Sequence, residues 1–164
     1  MRVLGLDPGT ATTGYGVVEG KGNRLVHLAH GTIDTPPGEH FAQRLLHIHT
    51  ETRKLIAQWR PEAVAIERLY FKQNITTGIA VAQARGVLAL AVAQADLPIA
   101  EYGPAEAKLA VTGYGKADKR QVQDMIKMLL NLDARPRPDD AADALGLAIC
   151  LVQSGVLPLH DRGE

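Results

Sequence analysis

Four carboxylates sit where a folded scaffold would present them rather than where a surface would scatter them. Asp7 closes the apolar run LGL, and Glu67 closes the run AVAI. If these runs are neighbouring parallel strands, both acids lie at the same end of a sheet, where open α/β sheets place their sites. Asp140 and Asp143 are three residues apart and share one face of a helix. The sequence DAADALGLAIC then turns apolar, which points that face back at the sheet. Each acid also has a plainer role. Asp7 in DPGT could begin a turn, Glu67 could be a solvated strand end, and Asp139 and Asp140 could stabilise a helix N-terminus by about 0.3–1 kcal/mol. Asp143 resists that treatment, because it is embedded among Ala141, Ala142, Ala144 and Leu145. A charge in so apolar a surface needs a partner or a metal.

Carboxylates that converge without a cation repel one another, and hard divalent ions relieve this through oxygen ligation. The six histidines offer no competing site: His47 and His49 are two apart on a helix and point to different sides. There is no HExxH motif and only one cysteine, Cys150, so zinc and a disulfide framework are both disfavoured. All-carboxylate ligation suits Mg²⁺ or Mn²⁺. Two such ions about 3.5–4 Å apart would activate water and steady the leaving oxygen in phosphodiester hydrolysis.

The elements that must position these acids can be read from patterning. RVLGLD, stopped by Pro8-Gly9, reads as a buried strand. GYGVVEG and RLVHLAHGTID read as the next two strands of a meander, with GKGN as the hairpin turn. Phe41, Leu45, Ile48, Thr52, Leu55 and Trp59 recur at helical spacing, so residues 41–59 form an amphipathic helix ended by Arg60-Pro61. AVAIE at 63–67 suits a central parallel strand covered on both faces. A second helix spans about Ile75 to Ala95, followed by an edge-like strand LPIA at 97–100. Further helices are expected near 106–111, 119–130 and 140–152. A meander followed by alternating strands and helices is an α/β layer fold with a mixed sheet.

The 164 residues, 46% hydrophobic and 22% charged, fit one domain spanning 1–164 without disulfides or structural zinc. No apolar run is expected to reach the ~20 residues of a membrane span, and MRVLGLDPG breaks into a turn before any signal-peptide core, so a cytoplasmic location without membrane contact is expected. Eighteen basic residues balance eighteen acids, yet the charges are not evenly mixed. Seven bases (Lys108, Lys116, Lys119, Arg120, Lys127, Arg135, Arg137) meet three acids (Asp118, Asp124, Asp133) between positions 108 and 137. Arg68, Lys72 and Arg85 occupy a stretch with no acid. Such patches attract phosphate chains, unless the acids elsewhere fold back onto them.

Together, LGLDPGTATTGYGVV at 4–18, AIERLYFKQN at 65–74, QARG at 83–86, VTGYGKADKRQVQDMI at 111–126 and DAADALGLAI at 140–149 resemble the RuvC family of Holliday junction resolvases. The resemblance implies a ribonuclease H-like fold, with a mixed five-stranded sheet and helices on both faces. It implies a homodimer that binds four-way junction DNA and makes two symmetric nicks with Mg²⁺ or Mn²⁺, two ions per site. By motif, the catalytic and metal-binding carboxylates fall on Asp7, Glu67, Asp140 and Asp143, and two functional lysines on Lys108 and Lys119, with Arg120 adjacent. Some members carry His at the position of Asp140. The aromatic that stacks on a junction base falls on Tyr70, with Phe71 beside it, so either ring is a candidate. The family also implies a preference for short T-containing sequences and a partnership with the branch-migration motor of the same pathway.

The helix beginning at Ile75 is apolar or small almost all round, which suits a two-fold dimer contact through Ile79, Ala82, Gly86 and Ala89. The alternative for this helix is burial between the sheet and the helix at 119–130. Two other functions compete. DPGTATTGYG also resembles the phosphate loop of actin-like sugar kinases, although those enzymes need two such domains to enclose ATP. A junction-binding or scaffolding protein without chemistry is the other and the stronger alternative: loss of a carboxylate would mark it, all four are present here, and a binding module could retain its acids.

Overall fold

The computed structural model describes residues 1–69 and 75–155. Tyr70, Phe71 and Lys72 lie outside the described residues. The chain runs through β1 (Arg2–Asp7), β2 (Thr12–Lys21), β3 (Arg24–Asp34), α1 (Phe41–Trp59), β4 (Ala63–Glu67), α2 (Ile75–Ala93), β5 (Ile99–Tyr102), α3 (Pro104–Thr112), α4 (Lys119–Leu129) and α5 (Asp139–Ser154). The five strands form one sheet in the order β3-β2-β1-β4-β5. β1, β2 and β3 are antiparallel neighbours, while β1, β4 and β5 are parallel. This is the expected mixed sheet, with helices on both faces.

Strand alternation divides the core in two. Leu4, Leu6, Val64 and Ile66 face one side, where they pack with Ile48 of α1 and Ala84, Leu88 and Val92 of α2. Val3, Ala63 and Ala65 face the other, under Leu145, Ala148 and Ile149 of α5, with Val111 of α3 and Ile126 of α4 beside them. Because side chains alternate along a strand, Asp7 and Glu67 fall in phase with Val3, Ala63 and Ala65, on the α5 side. α5 is buried from Ala141 to Leu151 apart from Asp143, the one charge on that stretch.

Boundaries differ from the sequence reading where tertiary pairing overrides local pattern. β5 starts at Ile99 and reaches Tyr102, because it registers against β4 from Val64↔Ile99 to Glu67↔Tyr102. α3 starts earlier, at Pro104, and the Glu106 carboxylate accepts from the Gly103 N–H at 2.6 Å, closing its first turn. β3 carries a bulge: the register steps from Val17↔Ala29 to Val18↔His27, leaving Leu28 unmatched. That extra residue puts His27 and His30 on one face, with ring nitrogens 2.8 Å apart.

One expectation about α2 is corrected and one alternative for it is excluded. It is 19 residues long with Arg85 as its one charge, long and apolar enough by composition to cross a membrane, contrary to the expectation that no segment would be. Ala84, Leu88, Ala91 and Val92 are nevertheless buried and Arg85 is ion-paired with Glu101, which makes α2 a packed element of this fold. Nor is α2 sandwiched under α4, which lies on the opposite face of the sheet. Its neighbour is α1, where His49 meets Gln94 at 2.8 Å.

Candidate active site

The site forms at the end of β1 and β4 where the parallel strands finish, beneath the N-terminus of α5. Leu6 pairs with Ile66, so the next residues, Asp7 and Glu67, emerge side by side. Across the sheet Asp7 is registered with Gly14 of β2. Gly5, Gly14 and Gly16 form a bare strip on which α5 lies: a Cβ on Gly5 would meet the Ala144 carbonyl oxygen at 2.0 Å, and one on Gly16 the Leu145 side chain at 2.8 Å. This close approach brings Asp140 and Asp143, one turn apart on α5, down beside Asp7.

Carboxylate oxygens of Asp7, Asp140 and Asp143 lie within 4.8 Å of one another. Glu67 joins the trio through a hydrogen bond with Asp7. Two carboxyl groups can share such a bond only if one holds a proton, and the energetics give it to Asp7. Burial first, and then the negative charges of Glu67, Asp143 and Asp140, push the Asp7 carboxyl up to about 9. Glu67 is also raised, chiefly by burial, and Asp143 is raised by the protein enclosing it despite the lowering pull of Lys119. These acids resist ionising together, because burial raises Asp7, Glu67 and Asp143 alike and the negative charge of neighbouring acids raises each further. An all-oxygen donor set with excess negative charge fits a hard divalent cation; among the described residues no histidine or cysteine joins the group.

Cations frame the cleft. A cavity of about 220 Å³ is lined by Glu67, Lys108, Lys119 and Asp143, with Ala107, Val122 and Leu147 as its apolar wall. A wider groove of about 660 Å³ continues past Glu67 to Arg68, Leu69, Gly103 and Lys108. Lys108 comes from α3 and Lys119 from the first turn of α4, and both line the same cavity as Glu67 and Asp143. Arg120 is exposed on α4 and does not line the cleft.

Several features were not read from sequence. Asp139 accepts from the Lys119 ammonium at 2.9 Å and from the Gln123 side-chain amide at 2.9 Å; the spacing of two helix starts gives no hint of that pairing. The basic surplus is also smaller than sequence counting suggests. Arg68 bonds Glu106 at 3.2 Å, Arg85 pairs with Glu101 and Lys119 pairs with Asp139, all acids outside the counted stretches, whereas Arg135 pairs with Asp124, which was already counted. Of the proposed interface residues, Ile79 and Gly86 are exposed and Ala82 and Ala89 half-buried, on the face of α2 away from the core.

A strand-borne and helix-borne carboxylate cluster at the end of a five-stranded mixed sheet, flanked by lysines, defines a nuclease of the ribonuclease H-like class. The chain belongs to the RuvC family: residues 3–151 match the family model described as crossover junction endodeoxyribonuclease RuvC. It is 51% identical over 154 residues to the crossover junction endodeoxyribonuclease RuvC of Heliobacterium modesticaldum, covering 94% of this chain and 95% of that one. Among solved structures, Thermus thermophilus RuvC matches with a TM-score of 0.86 at 35% identity, covering 94% of this chain and 97% of that one. The same protein in complex with a Holliday junction substrate matches at a TM-score of 0.89 and 34% identity, covering 94% of this chain and 96% of that one.

Proposed function

We propose that this chain is an endonuclease that resolves four-way (Holliday) DNA junctions in recombination and repair by paired, symmetric phosphodiester hydrolysis. The observation that carries this reading is the trio Asp7, Asp140 and Asp143, with Glu67 bonded to Asp7, opening into a cleft flanked by Lys108 and Lys119. In this reading the four carboxylates hold Mg²⁺ or Mn²⁺, two ions per site. Such ions, when bound, supply the positive charge that lowers the pKa of water and neutralises a departing oxygen. The chain's own groups do the rest. With its proton released to solvent, Asp7 would present carboxylate oxygen to the metal together with Glu67, Asp140 and Asp143, and Lys108 and Lys119 would attract and orient the scissile phosphate.

Support for the junction as substrate comes from the family membership and from the relative solved with a Holliday junction. The proposal includes a single catalytic domain over 1–164, a cytoplasmic location, a homodimer formed through α2 and a partnership with a branch-migration motor. The apolar outer face of α2 supports the dimer. The test is nicking of a labelled four-way junction and of the matching linear duplex, with Mg²⁺, with Mn²⁺ and with chelator. Two nicks of like polarity, confined to the junction and abolished by chelator, are expected. Tight junction binding without any nick under either metal would overturn the catalytic reading in favour of a binding module.

A further inference from the structure

Lys119 stands between two carboxylates that could each claim its charge. One is Asp143, a member of the acidic cluster that lines the same cavity. The other is Asp139, the first residue of α5, outside the cluster. Among the described residues, the ammonium lies within 4.0 Å of Asp139 alone, with Nζ 2.9 Å from Oδ2. The second oxygen of Asp139, Oδ1, accepts from Gln123 Nε2 at 2.9 Å. Gln123 is one turn beyond Lys119 on α4, so a single helix face grips both oxygens of one carboxylate. A monodentate pair would let Asp139 rotate; the two-point grip fixes the plane of the carboxylate and with it the position of the ammonium.

We propose that Asp139, held by Gln123, is a positioning residue that keeps Lys119 over the mouth of the cleft and off Asp143. This rests on the proposed nuclease site. The physical reason is competition. A lysine with four rotatable carbons, 60% exposed, is free to fold onto the nearest excess of negative charge, and that excess is the cluster itself. Once there it would neutralise a carboxylate that a divalent cation needs. Asp139 offers a partner of equal charge in a better solvated place, so Lys119 stays available to a phosphate and Asp143 stays available to metal. Because the pair is exposed, the bias is modest, and an arriving phosphate can take over the ammonium.

The experiment measures Mn²⁺ binding to the DNA-free full-length protein by electron paramagnetic resonance, alongside single-turnover nicking of a saturating junction. Asp139→Asn is expected to weaken Mn²⁺ binding about three- to fivefold, the range an exposed ion pair commands. Gln123→Leu, which changes no charge, is expected to shift it in the same direction, and Asp139→Glu to restore it in part. The decisive arm is the Lys119→Ala background, in which Asp139→Asn should have no further effect on Mn²⁺ affinity. If Asp139→Asn weakens Mn²⁺ equally in both backgrounds, the acid acts through its own charge and the positioning role is overturned. Unchanged affinity in the single variants overturns it too. Failure of the wild type to nick any junction would instead strike the nuclease reading itself, and the binding arm would still decide whether Asp139 acts through Lys119.

Discussion

A Cβ on Gly14 would lie 2.0 Å from the main-chain carbonyl oxygen of Asp140. Gly14 is also the β2 partner of Asp7, so one missing side chain sets the distance between a strand-borne and a helix-borne member of the cluster. The atom in the way is backbone, and it cannot swing aside as a flexible side chain would. Gly14→Ala should therefore lift the N-terminus of α5 from the sheet, with an overpacking cost of about 1–3 kcal/mol or more. The expected outcome is a folded protein of lower Tm whose metal binding is lost. A variant that keeps wild-type Mn²⁺ affinity would mean that α5 can shift without opening the cluster.

Metal-free protein should become less stable as pH rises, and Asp7 should be the main cause. Its carboxyl is raised from 3.8 to about 9 in the fold, so between those values the folded state keeps a proton that the unfolded chain releases. Unfolding then releases a proton, and stability falls with increasing pH across that window. Asp7→Asn removes the penalty. Its Tm in chelator should exceed that of the wild type by a gap that is small near pH 4 and widens towards pH 9. Saturating Mg²⁺ should narrow the gap, since a ligand that binds only the native cluster stabilises the wild type by mass action. A gap constant with pH would place the proton elsewhere.

Much of this site was legible because its acids terminate runs with clear period. RVLGLD and AVAIE coincide with β1 and β4 to the residue, and their reading as parallel neighbours already puts Asp7 and Glu67 at one end of the sheet; that they share a face follows from the register Leu6↔Ile66. Asp140 and Asp143 were legible from their helical spacing and from the apolar residues around them. What patterning cannot supply is the third dimension of contacts between elements. The strip of Gly5, Gly14 and Gly16 reads as turn and strand glycine until α5 is seen lying on it. The ion pairs of Arg68, Arg85 and Lys119 join residues 16 to 38 positions apart and use acids from outside the basic stretches, so those stretches lost part of their surplus on folding. The bulge at Leu28, which faces His27 towards His30, depends on register with β2 and leaves no local mark.

Neutralising the cluster should separate chemistry from binding. Asp143→Asn and Glu67→Gln are each expected to reduce nicking by orders of magnitude, each ~1.4 kcal/mol of lost transition-state stabilisation being tenfold. Junction affinity in chelator should hold or improve, because negative charge is removed from a phosphate-binding surface. Nicking by Asp143→Asn at near the wild-type rate would remove that residue from the machinery.

Lys108 and Lys119 should prove to act on the cleavage step as well as on attraction. Both line the cavity that also contains Glu67 and Asp143, a position beside the reacting phosphate rather than along a distant arm. A purely attractive role predicts that each Lys→Ala variant lowers the salt slope of binding by about one and cuts normally once saturated. The expected result is a single-turnover rate that stays depressed at saturation, because positive charge aimed at the developing charge is missing. Full recovery of the rate at high protein concentration would return these residues to steering alone.

The outer face of α2 should be the dimer contact, and it can be tested without touching the core. Ala84, Leu88, Ala91 and Val92 point inward, whereas Ile79 and Leu90 are 52% and 53% exposed. Among the described residues, nothing beyond the helix's own backbone and the two chain neighbours lies within 4 Å of a Cβ built on Gly86, so this face has room for close approach by a second copy. An apolar helix face of this size left in water invites self-association, and a two-fold contact would present two acidic clusters to a symmetric junction. Ala82→Glu and Ala89→Glu place a charge on that face while leaving the inward residues intact. Each is expected to give a soluble monomer by sedimentation that still binds Mn²⁺ but no longer makes paired nicks. Unchanged dimers for both variants would move the interface to another face.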